Sequence, residues 1–159
     1  MSTLTEDKLE GAALEAWRSY LQSHASIVRA LDAELISDHG ITSRDYEVLL
    51  YLAQEPEQRL AMSALAERTM LTRSGITRLV DGLVRAGLIE RVACPRDARV
   101  SYAQLTSAGY EKLRAAGCSH VRSIRRLFLE HFSGPELDQL ATLLSRLPGA
   151  PAAGACTVE

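Results

Sequence analysis

Three observations predict a mainly α fold with a small β-hairpin. Six segments carry apolar residues at helical spacing, two short runs near residue 95 alternate like strands, and arginines cluster in the middle of the chain. The whole of 1–159 is expected to form one domain, without internal repeat.

The 159 residues are 47% apolar and 24% charged, ordinary values for a folded chain able to bury about two-thirds of its unfolded surface. No apolar run approaches the roughly 20 residues of a membrane span, and the first ten residues lack a signal peptide's basic and apolar regions. The cytoplasm is therefore the expected location, and no membrane partner is expected. Cys94, Cys118 and Cys156 form neither a disulfide framework nor a CxxC metal site.

The first helix is expected over 9–38, where Leu14, Trp17, Leu21, Val28, Leu31 and Leu35 follow a heptad seam and His39-Gly40 ends the run. Thr42 and Asp45 match an S/T-x-x-D/E helix start, and Tyr46, Leu49, Leu50 and Ala53 give the second helix its stripe. Pro56 marks a loop, and 59–62 is a short extended piece. Ser63 then reads as the N-cap of a short third helix over 64–69.

Thr72 caps a fourth helix over 73–86, with Ile76, Leu79, Val80, Leu83 and Val84 on one face and Gly87 as terminator. Two strands, 88–94 and 100–105, flank a charged turn at 95–99. Thr106 caps a long fifth helix, whose apolar face runs from Leu113 through His120 to Phe128. Ser133 and Glu136 form a capping box for a sixth helix bearing Leu137, Leu140, Leu144 and Leu147. The Ala/Gly/Pro tail over 148–159 is expected to be disordered. Helix, helix and basic hairpin in that order define a six-helix winged helix-turn-helix, with 42–105 as the DNA-binding region. The apolar stripes of 9–38 and 107–147 exceed what that core can cover, so both are expected to form a homodimer interface.

The net charge of −2 does not suggest a nucleic-acid partner, but its distribution does. Residues 59–99 hold 8 Lys or Arg against 4 Asp or Glu, whereas residues 1–58 hold 4 against 11. A helix that reads the major groove needs an apolar back and a polar front. The fourth helix offers Arg73, Ser74, Thr77 and Arg78 on that front, and Gly75 leaves room for close approach. Arg96 and Arg99 give the hairpin tip cations for a narrow minor groove. Asp97 is placed either to orient one of them or to weaken the local attraction. Double-stranded DNA is the expected partner, and a two-fold dimer would read a pseudo-palindromic operator.

Ser63-x-Leu65-Ala66-Glu67, the run Thr72-Arg73-Ser74-Gly75-Ile76-Thr77-Arg78-Leu79-Val80-Asp81-x-Leu83, and Gly87-Leu88-Ile89 together resemble the MarR family of transcriptional regulators. Asp97-x-Arg99 followed by Leu105-Thr106-x-x-Gly109 is similar to that family's wing signature. The resemblance implies a homodimer intertwined through the first, fifth and sixth helices. It also implies a repressor released by a small aromatic or anionic effector. Ala98 departs from the pattern, since the family frequently carries a further arginine there.

Trp17, His24 and Tyr46 are candidates for the effector pocket, against the plainer reading of Trp17 as packing and His24 as an interface residue. Cys94, between Arg91 and Arg96, is the candidate for a thiol-based redox-sensing alternative, positive charge favouring its thiolate. A winged helix used as a protein-interaction module is the other alternative. No two of the four histidines stand three or four apart, so no metal is expected, and no cofactor or catalytic motif is present.

Overall fold

The structure, a computed structural model, describes residues 8–149. Most of the expected tail, with Cys156, lies outside them. The order is α1 (Gly11–His39), α2 (Ser43–Gln54), β1 (Arg59–Ala61), α3 (Met62–Thr69), α4 (Arg73–Arg85), β2 (Ile89–Ala93), β3 (Ser101–Leu105), α5 (Ser107–Leu127) and α6 (Gly134–Leu144). The chain divides into two compact units, one through Val121 and one from Arg122.

The first unit holds the core. Local chemistry sets its helix ends. Gly40 takes φ 68° and ends α1, its N–H donating to the Ile36 carbonyl. Thr42 and Asp45 close a full capping box at the start of α2, and Asp32 of α1 accepts from the Ser43 N–H at 2.7 Å. The Thr72 hydroxyl accepts from the Gly75 N–H at 3.1 Å, capping α4. Gly87, at φ 73°, follows it.

Val48, Leu49 and Leu52 of α2, Leu65 of α3, and Ile76, Val80 and Leu83 of α4 meet in one cluster with Ile89, Ala103 and Leu105 of the sheet and Leu113 and Ala116 of α5. α2 and α4 each contribute residues three and four apart, so one face of each is buried.

The expected hairpin is part of a three-stranded antiparallel sheet of order β1-β3-β2. The extended piece before α3 supplies the third strand, with Arg59 opposite Gln104 and Ala61 opposite Tyr102. Ser63 is not the cap of α3, as the sequence suggested. The chain passes straight from β1 into the helix, so Ala61 holds the cap position without a side-chain bond and Ser63 lies in the first turn. On α1 only Leu35 is buried, while Trp17, Leu21 and Val28 of the heptad seam are 44–50% exposed.

In the second unit α5 ends at Leu127, and a single 3-10 turn, Leu129–His131, follows. Phe128 and His131 are therefore not on α5. The Phe128 and Phe132 rings meet edge to face, with centroids 5.4 Å apart. Ser133 and Glu136 form the expected capping box, the carboxylate accepting from the Ser133 N–H at 2.8 Å. No residue of α6 is buried, and Leu143, Leu144 and Leu147 are exposed.

Candidate nucleic-acid interface

The solvent face of α4 follows from its division into two stripes. With Ile76, Val80 and Leu83 turned into the core, Arg73, Ser74, Thr77 and Arg78 stand outward. With Asp81 they line one open cleft of about 360 Å³. Thr77 donates its hydroxyl proton to the Arg73 carbonyl at 2.7 Å, which leaves its oxygen as an acceptor toward solvent. Gly75 has an internal reason to be glycine: an added Cβ would lie 3.2 Å from the Thr72 Oγ1 that caps the helix and 3.6 Å from Leu71 Cβ.

Charge pairing separates the arginines into two sets. Arg59 pairs with Glu57, Arg68 with Glu55 at 2.7 Å, and Arg91 with Asp81 at 2.8 Å. Arg73, Arg78, Arg96 and Arg99 are exposed, and among the described residues none of them enters an ion pair. The cations left without an acidic partner include all four that the sequence assigned to DNA. Asp81, inside the α4 front, has its charge balanced by Arg91 of β2, a pairing the sequence did not reveal.

The turn between β2 and β3 is closed by two backbone bonds, Cys94 N–H to the Val100 carbonyl and Val100 N–H to the Asp97 carbonyl, each 3.0 Å. Asp97 orients neither guanidinium. Its carboxylate accepts from the Arg99 backbone N–H at 3.0 Å and so shapes the turn. The base of the wing is fastened to the end of α4: Thr106 N–H donates to the Leu88 carbonyl at 3.1 Å and Thr106 Oγ1 to the Gly87 carbonyl at 2.8 Å. The same hydroxyl oxygen accepts from the Gly109 N–H at 3.0 Å, starting α5.

The Cys94 thiol is held below its ordinary range, but not by arginine charge. The backbone N–H groups of Arg96 and Asp97 and the Tyr102 hydroxyl favour its thiolate, while desolvation and the Asp97 carboxylate oppose them. The guanidinium of Arg91 is engaged with Asp81.

Trp17, His24 and Tyr46 are not gathered into one site within this chain. Trp17 and His24 flank Tyr20 on the exposed side of α1, with centroids 6.2 and 6.0 Å from it. Tyr46 is buried and its ring meets that of His120 of α5 at a tilt of 50°, with centroids 4.7 Å apart. Asp32 is the α1 residue bonded to the start of α2, and Trp17 lies 15 residues before it, about 22 Å along the helix. Burial holds the His120 imidazole below its ordinary value, with Glu34 opposing the shift, and its Nδ1 is buried without a partner.

Two helices joined by a tight turn, the second with an apolar back and a cationic front, followed by a sheet whose turn carries two free arginines, constitute a winged helix-turn-helix. Known proteins agree. The MarR family model matches residues 39–100. The crystal structure of AbsC, a MarR family transcriptional regulator from Streptomyces coelicolor, superimposes with a TM-score of 0.83 at 31% identity, covering 87% of this chain and 93% of that one. Sco3205, another MarR family regulator of that organism, solved in complex with DNA, gives 0.82 at 30% identity over 89% of this chain and 96% of its own. The HTH-type transcriptional repressor YetL of Bacillus subtilis is 25% identical over 143 residues, 90% of this chain and 84% of YetL. The chain belongs to the MarR family of transcriptional regulators. Among the described residues no helix is long and apolar enough to cross a membrane.

Proposed function

We propose that the protein binds duplex DNA as a homodimer and represses transcription until a small aromatic or anionic effector releases it. In this reading α4 enters the major groove, with Arg73, Ser74, Gly75, Thr77 and Arg78 against the DNA, and Arg96 and Arg99 reach the flanking minor groove. The observation that carries it is the set of exposed guanidiniums without acidic partners on α4 and the wing turn. Arg44, Arg59, Arg68 and Arg91 of the module pair with carboxylates within the protein, whereas these, like Arg85 at the end of α4, keep their charge for phosphates and base edges. Likeness to a regulator solved with DNA and to a repressor supports the same reading.

The dimer is supported by unpartnered apolar surface. Trp17, Leu21 and Val28 on α1 and Leu143 and Leu144 on α6 are each at least 36% exposed, more than scattered surface apolar residues require. These positions fall in the regions 9–38 and 107–147 assigned to dimerisation from the sequence. Footprinting on genomic fragments tests the dimeric DNA-binding part of the reading. Protection of two half-sites about one helical turn apart, related by a two-fold axis, is expected, and protection of a single half-site by the stable species would contradict it. Trp17, the sole tryptophan, serves as the effector reporter: a compound that displaces DNA should also change its fluorescence, and a displacing compound that leaves it unchanged removes Trp17 from the pocket.

A further inference from the structure

The DNA reading uses α4 and the wing; Arg44, on the first turn of α2, stands outside it. Yet Arg44 lines one cleft of about 320 Å³ together with Leu71, Gly75, Arg78 and Leu79, where α2 meets the start of α4. Its guanidinium is held in place through a single nitrogen. Nη1 donates to Glu47 Oε2 at 2.9 Å and to the Thr69 carbonyl at 3.4 Å, at the end of α3. Glu47 is itself steadied by the Tyr51 hydroxyl, which donates to its other oxygen at 3.3 Å.

A guanidinium has five N–H donors, so Nε and Nη2 retain three. Among the described residues these meet no protein acceptor, and the side chain is 56% exposed. The cleft carries two guanidiniums against the one carboxylate on Arg44, and its remaining walls are the apolar Leu71 and Leu79 and the bare backbone of Gly75. A preoriented fork with unused donors, beside a second cation, suits a tetrahedral oxyanion. Arg44 projects from α2 rather than from the helix that enters the groove, which places it against the DNA backbone rather than the bases.

We propose that Arg44 holds one backbone phosphate of the duplex at the mouth of this cleft and thereby seats the module on the duplex, adding affinity that is independent of base sequence. This rests on the DNA reading above. Arg44 is a positioning residue: Glu47 and the Thr69 carbonyl hold it, and it in turn holds the DNA.

The test uses the full chain and duplexes enriched by the wild-type protein from a random library, with affinity followed by fluorescence polarisation from about 50 to 200 mM salt. Arg44→Gln keeps an N–H donor for Glu47 but removes the charge. It should lower the slope of log K against log salt by about 0.9 for each module bound and weaken all duplexes by the same factor, leaving their ranking unchanged. Arg44→Lys should restore the slope. A scan of duplexes with one neutral methylphosphonate each should find a position that weakens wild type and leaves Arg44→Gln unaffected, and on wild type alone it should still show one sensitive phosphate per half-site beside the α4 footprint. A wild-type slope in Arg44→Gln, or an altered ranking of base sequences, overturns the phosphate assignment while leaving DNA binding intact. Absence of salt-dependent duplex binding by the wild type overturns the DNA reading itself.

Discussion

Replacing Gly109 by alanine is a small change with a large expected effect. A Cβ there would lie 2.1 Å from the Leu88 carbonyl oxygen, 2.8 Å from Leu105 Cδ1 and 3.0 Å from the Leu88 carbonyl carbon. Real Cβ atoms essentially never come within 3.0 Å of a heavy atom of a non-neighbouring residue, so α5 and the Leu88 backbone just before β2 must separate by nearly an ångström. The displaced oxygen is the acceptor of the Thr106 N–H. Overpacking of this kind costs about 1–3 kcal/mol, and weakening that bond adds about 1 kcal/mol. The expected loss is then about 2–4 kcal/mol, a fall in melting temperature of roughly 5–15 °C for a domain of this size. Gly82→Ala is the matched control. Gly82 lies inside α4, and its added Cβ would meet only Arg85 Nη2 at 4.0 Å, so alanine should stabilise the helix by about 0.5–1 kcal/mol. Thermal unfolding of both variants by circular dichroism decides the matter. A Gly109→Ala protein that melts with wild type would refute the claim that the wing is locked against α5 through this close approach.

Other consequences follow from the same geometry. Thr72→Ala removes the cap of α4 and should cost about 1 kcal/mol, with lower affinity for every duplex, measured by urea unfolding and polarisation. His120 has a depressed folded-state pKa, so folding favours its neutral form. The stability this gives is present above the ordinary imidazole value of 6.5 and is lost as pH falls from there through the folded-state value. Melting temperature should therefore decline on the acid side, and His120→Gln should flatten that decline; an unchanged slope would count against burial of the neutral ring. Cys94, stabilised as thiolate by the turn's N–H groups, should be alkylated by iodoacetamide with a midpoint below the ordinary thiol value, and Tyr102→Phe should raise it. Sedimentation should give twice the chain mass, and Leu21→Glu combined with Val28→Glu should shift the protein toward monomer; a wild-type monomer would remove the dimer.

Features that depend on residues within four positions of one another were legible in the sequence. The capping pairs Thr42/Asp45 and Ser133/Glu136 stand where the spacing places them, and so does the Thr72 cap, because each is a local competition of side chain for backbone donors. The front of α4 was legible for the same reason: helical period alone separates Ile76, Val80 and Leu83 from Arg73 and Arg78. Long-range pairing was not. β1 is only three residues long and finds its partner more than 40 positions later, too short a segment to show a period of two, and without it the sequence points to Ser63 as the entry into α3. The Asp81–Arg91 pair, which joins α4 to β2, and the Arg44–Glu47–Thr69 arrangement, which joins α2 to α3, are likewise products of packing. The hydroxyl and backbone donors around Cys94 arise from the shape of a turn, whereas the sequence offered only neighbouring charges.

The central claim is that the α4 face reads duplex DNA, and Arg78 tests it most directly. On duplexes selected by the wild-type protein, Arg78→Ala should weaken binding by about 1–3 kcal/mol and relax preference at one base position in each half-site. Wild-type affinity with unchanged base preference in that variant would contradict the claim.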